Sequence, residues 1–140
     1  QTAAQPIAAL HSGVPFRNSL LAGFELEELS PPVVVALLNS TLYRALHVSR
    51  RRDARQAAFP QVKVAHLRAL PRPPRDELAF SRLAELTLAA TELGMTAERR
   101  DELDRAVFDL FGCPSEEREK IRTFVASRVP GVKRREASPP

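Results

Sequence analysis

Prolines dictate how this chain can be partitioned. Of its 12 prolines, Pro60, Pro71, Pro73 and Pro74 crowd into a single stretch. A ring that fixes φ and removes the N–H cannot sit inside a helix, and it pushes the preceding residue into extended backbone. No continuous helix can therefore cross residues 60–74, and regular structure must be built on either side. Upstream, Ser30 is a good N-cap, and Pro31 and Pro32 fit a first helical turn, where a missing N–H costs nothing. Val34, Leu38, Leu42 and Leu46 follow at i+4 spacing, joined by Val35, Leu37 and Ala45. This predicts one helix to about residue 50, with Asn39, Ser40, Arg44 and His47 around the edges of its apolar stripe.

Downstream, Asp76 is placed to cap a helix carrying Ala79, Leu83, Leu86, Ala90 and Leu93, ended by Gly94. Thr96 caps the next, with Leu103, Val107, Leu110 and Phe111 on one face, ended by Gly112. Pro114 and Ser115 open a last helix whose inward residues are Ile121, Phe124 and Val125. The short apolar segment 18–26, interrupted by Gly23, and the alternation of Val62 and Val64 within 61–65 read as short strands. The predicted fold is mainly α with a small β element, helical throughout its C-terminal half.

With 140 residues, 44% of them apolar, the chain can bury one modest core. No apolar run approaches the roughly 20 residues that span a bilayer. No charged segment preceding an apolar stretch marks a signal peptide. The single cysteine, Cys113, excludes an internal disulfide and fits a reducing compartment, so a cytoplasmic location is expected. The sequence opens on Gln1 rather than Met, which leads us to expect a piece of a longer polypeptide.

The formal net charge of +4 conceals its distribution. Residues 44–75 carry nine basic side chains (Arg44, Arg50, Arg51, Arg52, Arg55, Lys63, Arg68, Arg72, Arg75) against Asp53 alone, a net +8. The segments before and after, 1–43 and 76–132, are net −2 and −4. A basic block between acidic flanks is the electrostatic footprint of a polyanion-binding surface.

Catalytic chemistry is missing from the pattern. The five glycines are at least ten positions apart, so no loop can cradle a phosphate or a nucleotide. His11, His47, His66 and Cys113 lack metal-ligand spacing. His47 reads as a helix-edge residue and His66 as a loop residue. The carboxylates of 98–119 recur at spacings that make solvated helix faces, and Cys113 falls in a helix–helix turn.

Three segments in order carry a resemblance. VVVALLNSTLYRALH (33–47) followed by AFPQVKVAHLRALPRPP (58–74), and then LDRAVFDLFGCPSEEREKI (103–121), are together similar to the C-terminal specificity domain of TaqI-like adenine-specific DNA methyltransferases. The likeness covers roughly residues 18–125. It implies a target-recognition domain that binds double-stranded DNA and is held against an upstream catalytic domain of the same polypeptide. That domain would carry the S-adenosylmethionine site and an Asn-Pro-Pro-aromatic motif. Here the Pro-Pro pairs follow Ser30, Arg72 and Ser138, so the fragment is expected to be catalytically silent and to hold no cofactor or metal. The parent would be an adenine-N6 methyltransferase, a fused restriction–modification enzyme, or a phage-defence methylase.

On this reading residues 1–15 are a loosely ordered opening segment and 16–75 the recognition part. Residues 76–129 are a helical C-terminal part and 130–140 a disordered tail. Leu37, Leu38, Asn39, Ser40 and Leu42 match the helix motif, with Asn39 expected to bond nearby main chain. Phe59, Pro60, Gln61, Lys63, Leu67, Leu70 and Pro71 match the second motif, and there Phe59 and Leu67 are expected to pin a loop to the core, with Gln61 bonding backbone. The arginine-rich RRRDARQA (51–58) has no counterpart that assigns it a task. Arg50, Arg51, Arg52 and Arg55 are the expected phosphate contacts, Lys63 and Arg68 lesser ones, and Arg55 and Gln56 the candidates for reading bases. The competing expectation is a helical docking module whose C-terminal helices hold a catalytic domain without contacting DNA.

Overall fold

The computed structural model describes residues 6–11, 13, 21, 23, 28–50 and 62–128. Six helices follow in order: α1 (Pro31–Asn39), α2 (Thr41–Ser49), α3 (Val64–Arg68), α4 (Glu77–Leu93), α5 (Ala97–Leu110) and α6 (Ser115–Arg128). No strand occurs among the described residues. The strand expected at 61–65 is replaced by helix: Val64 and Ala65 form the first turn of α3, and Val62 is buried without a strand partner. Two alternating valines are too short a pattern to outweigh the local capping described below. Of the 18–26 segment, Leu21 and Gly23 are described and neither lies in a strand; the rest falls outside the described residues.

The helix expected over 31–50 is two helices. Ser40 sits at φ −69°, ψ 152°, which is extended backbone. Its hydroxyl donates to the Leu37 carbonyl at 2.7 Å and accepts from the Tyr43 N–H at 3.2 Å, ending α1 and capping α2 with one group. A short hydroxyl side chain offers the backbone an alternative to the helical ladder, and here it succeeds. The break resets the helical phase. Val33, Ala36 and Leu37 become the buried residues of α1, and Leu42, Tyr43, Ala45, His47 and Val48 those of α2. Ser40 (4% exposed) and His47 (3%) are therefore interior, not edge, residues.

The C-terminal helices start and stop where capping chemistry places them. Asp76 accepts from the Ala79 N–H at 2.9 Å and Thr96 from the Arg99 N–H at 3.2 Å. Gly94 ends α4 at φ 86°, and Arg99 donates to the Gly94 carbonyl at 2.8 Å. At the end of α5 the Gly112 N–H reaches Asp109 O (2.9 Å) and the Cys113 N–H reaches Phe108 O (3.0 Å). That bond pair defines a Schellman motif, with Gly112 in the left-handed region at φ 62°.

One core joins the two halves. Val33, Ala36, Leu37, Leu42 and Tyr43 from α1 and α2 pack with Leu83 and Ala90 of α4 and with Leu103, Val107, Phe108 and Leu110 of α5. α1 lies on α4, α4 on α5, and α2 on α6, where Ala45 and Val48 meet Val125, Ile121 and Phe124. Leu93, expected on the buried stripe of α4, is 68% exposed because the core ends one turn earlier, at Ala90.

Candidate nucleic-acid interface

The buried residues Tyr43 and His47 of α2, with Arg50 at its C-terminal end, fix the chain that follows the arginine-rich segment. Tyr43 Oη donates to the Pro71 carbonyl at 2.6 Å, and the Arg50 guanidinium donates to the Ala69 carbonyl. The His47 and His66 rings meet edge to face, with centroids 6.1 Å apart. Tyr43 and His47 of α2, with Arg50 at its C-cap, thus hold residues 66–71. α3 is only five residues long, and its own first turn is closed by His66 Nδ1, which accepts from the Lys63 N–H at 2.8 Å. A backbone N–H can only donate, so Nδ1 carries no proton and the imidazole hydrogen sits on Nε2. His66, expected in a loop, is therefore the residue that starts a helix.

The anchors matter for the basic block. On one side of residues 51–61 Arg50 is tied to Ala69, and on the other Val62 is buried. Arg51, Arg52, Arg55, Gln56, Phe59 and Gln61 lie outside the described residues. Arg50, Lys63 and Arg68 are exposed at the two ends of that segment, and none has an acidic partner among the described residues. Lys63 takes the N-cap position of α3 and Arg68 its last residue.

Three other members of the block are spoken for. Arg44 is half-buried against the protein, donates to Asn39 O at 3.4 Å, and leaves its Nε without a partner among the described residues. Burial pulls its guanidinium below the ordinary value, Asp104 opposes that shift and Arg100 adds to it. Arg72 pairs with Glu28 at 2.8 Å, and Arg75 approaches Glu77 at 3.8 Å. Exposed pairs of this kind contribute little stability, yet they cancel charge that would otherwise face an anion. The nine-residue footprint expected from sequence thus loses Arg44, Arg72 and Arg75.

The site's frame depends on a carboxylate that sequence reasoning placed on a solvated face. Asp104 of α5 is buried, and its two oxygens accept from the Thr41 N–H (2.7 Å) and the Thr41 hydroxyl. A carboxylate at the first residue of α2 satisfies an otherwise orphaned N–H and complements the helix dipole. The signal was present: Asp104 lies between Leu103 and Val107 on the inward face of α5, where a solvated acid has no place. Asn39, expected to bond nearby main chain, instead bonds main chain 31 residues away, at Ala8.

Burial raises the Tyr43 phenol from 10.0 to about 12, which keeps its donor in place at any ordinary pH. Cys113 is pushed up by burial and by Glu117, against a smaller opposing effect of Arg118, so its thiol is poorly suited to nucleophilic work. Among the described residues no group of His, Cys, Asp or Glu could hold a metal ion, and no helix is long and apolar enough to cross a membrane. No family model matches the chain, and neither does any curated protein or any solved structure.

Proposed function

We propose that the chain is the DNA-contacting part of a target-recognition domain of the TaqI-like adenine methyltransferase type, itself without catalytic chemistry. The observation that carries this reading is a group of cations without acidic partners beside the arginine-rich segment. Among the bases of the C-terminal helices, Arg82 pairs with Glu85 and Glu102, Arg118 with Asp109, Lys120 with Glu116 and Arg122 with Glu119, whereas Arg99, Arg100, Arg105 and Arg128 have no ion pair among the described residues. Arg50, Lys63 and Arg68 have no such match among the described residues, and they flank the segment that carries Arg51, Arg52 and Arg55. Unpaired cations gathered at one place are what a phosphate backbone requires. The order of the three sequence segments supports the family within that class. The sequence carries neither a run of closely spaced glycines nor an Asn-Pro-Pro-aromatic motif. In this reading S-adenosylmethionine and the adenine chemistry belong to the parent's upstream domain.

Anisotropy titration of a labelled duplex across a salt series tests the reading. Each neutralised phosphate adds about −0.9 to the slope of log affinity against log salt. Contacts from Arg50, Arg51, Arg52 and Arg55 give a slope on the order of −3 to −4. Replacing Arg50, Arg51 and Arg52 together by Ala should bring it to about −1 with helicity intact. A parent slope near zero sinks the proposal.

A second reading has its own observation. Leu78 (83% exposed), Leu88, Leu93 and Met95 leave apolar surface along and just beyond α4. That surface suits a helical docking module holding a catalytic domain. Unchanged DNA binding in the triple variant, with lost association to the upstream domain, selects it.

A further inference from the structure

α3 is pinned at both ends and buries nothing of its own. None of its five residues is interior, and isolated helices shorter than about 12–15 residues are marginal in water. The chain on either side supplies the hold. Before the helix Val62 is buried. After it Leu70 packs on the main core, the Ala69 carbonyl accepts from Arg50 and the Pro71 carbonyl from Tyr43. Since α3 adds no interior residue, what these anchors fix in place is its surface.

That surface has a definite composition. At about 100° per residue, Val64, Ala65 and Arg68 fall on one side of the helix, and His66 and Leu67 fall opposite. Exposure follows the same division: Val64 (46% exposed), Ala65 and Arg68 are exposed, whereas His66 and Leu67 are half-buried. Lys63, at the N-cap, is exposed as well. The outward side is thus a small apolar step, Val64 and Ala65, between two cations that have no acidic partner among the described residues. The chain carries no acidic residue at all from 54 to 75.

We propose, resting on the DNA reading, that the outward side of α3 enters the major groove and that Val64 contacts the methyl group of a thymine, which makes it a specificity-determining residue. The groove follows from size. A helix with its side chains is about 10–12 Å across; the major groove of B-DNA, about 12 Å wide, admits it and the minor groove, about 6 Å wide, does not. The base follows from chemistry. Hydrogen-bonding groups line the base edges in that groove, and the C5 methyl of thymine is the apolar exception. A valine side chain offers neither donor nor acceptor, so thymine is the edge it complements. Lys63 and Arg68, one at each end of α3, lie beside the flanking phosphates and set position without reading sequence.

The test begins by selecting, with the full chain, its tightest-binding duplex from a randomised library. That duplex is remade with deoxyuridine in place of each thymidine in turn, a change that removes one methyl group and keeps every hydrogen bond. Binding is read by fluorescence anisotropy at a fixed salt concentration. At one thymidine at least, the replacement should weaken binding about fourfold, the effect of one buried methyl-sized group. Val64→Ser should bind the thymidine duplex about fourfold less tightly and be indifferent to that replacement, with circular dichroism and salt slope unchanged. Val64→Ile, which keeps the apolar contact, should respond to the replacement as the parent does. A selected duplex without thymidine, a parent indifferent to every replacement, or a Val64→Ser variant that still loses fourfold overturns the proposal and leaves the DNA reading to its own salt series. A chain that binds no duplex overturns both.

Discussion

Replacing Asp104 by alanine removes the acceptor for two groups at once, the Thr41 N–H and the Thr41 hydroxyl. Bonds to a charged group each contribute about 1.5–3 kcal/mol, and a donor stranded away from water loses a similar amount. Thr41 is half-buried, so water recovers part of the loss once the carboxylate is gone. A carboxylate at a helix N-terminus adds about 0.3–1 kcal/mol, and that also disappears. The half-buried Arg44 guanidinium loses the one charge that opposes its burial. Together these give a destabilisation of about 3 kcal/mol, a large share of the roughly 5–15 kcal/mol of an ordinary domain.

The chain has no tryptophan, so urea unfolding is best followed by far-ultraviolet circular dichroism. With a slope of about 2 kcal/mol/M, the midpoint should fall by about 1.5 M. Asp104→Asn, which keeps a carbonyl for the Thr41 N–H, should cost about half as much. Thr41→Val removes the hydroxyl alone, and its double-mutant cycle with Asp104→Ala should show a coupling of about 1 kcal/mol. An Asp104→Ala midpoint indistinguishable from the parent, with unchanged slope, would refute the reasoning: α2 would then be held by burial alone.

Tyr43 is the only tyrosine, so its phenolate absorbance reports one site. It should ionise near 12, and folding stability should be intact below pH 10 and decline as the pH rises towards 12, because the unfolded chain loses that proton first. The loss approaches about 1.4 kcal/mol per pH unit and should be missing from Tyr43→Phe. Gly94 and Gly112 both have open space where a Cβ would stand, so alanine there meets only backbone strain. Gly112→Ala should cost about 1 kcal/mol, and Gly94→Ala, at φ 86° and ψ 155°, more, up to about 3 kcal/mol, read as urea midpoints. The reverse order would refute the assignment of both effects to backbone conformation.

Helix boundaries were legible wherever capping is local. Asp76, Thr96, Gly94 and Gly112 act within their own turn, and each does in the fold what its side chain, or lack of one, does in a short peptide. The Ser40 break was written in the run Asn39-Ser40-Thr41, three residues that compete with a helical ladder, but the apolar spacing on either side outweighed it. The strand at 61–65 failed for the opposite reason. Its two valines carried a period too brief to decide, and His66 settled the matter by closing a helical turn on Lys63. The candidate interface was legible as charge but not as geometry. Which arginines are withdrawn depends on Glu28, Glu77, Asn39 and Asp104, partners up to 60 positions away from the cation they restrain.

The sequence by itself determined the partition of the chain by prolines, the helical character of its C-terminal half, the place of most helix ends, and the position of the basic block. All of these depend on interactions within a few residues, which a linear pattern records. Only the tertiary structure decided that Asp104 is interior, that Asn39 grips Ala8, that α2 holds the chain beyond the arginine-rich segment, and that three of the nine cations are engaged elsewhere. Those outcomes follow from which surfaces meet once α1, α2, α4 and α5 share one core. A hydrogen bond across 31 or 63 residues leaves no period in the sequence.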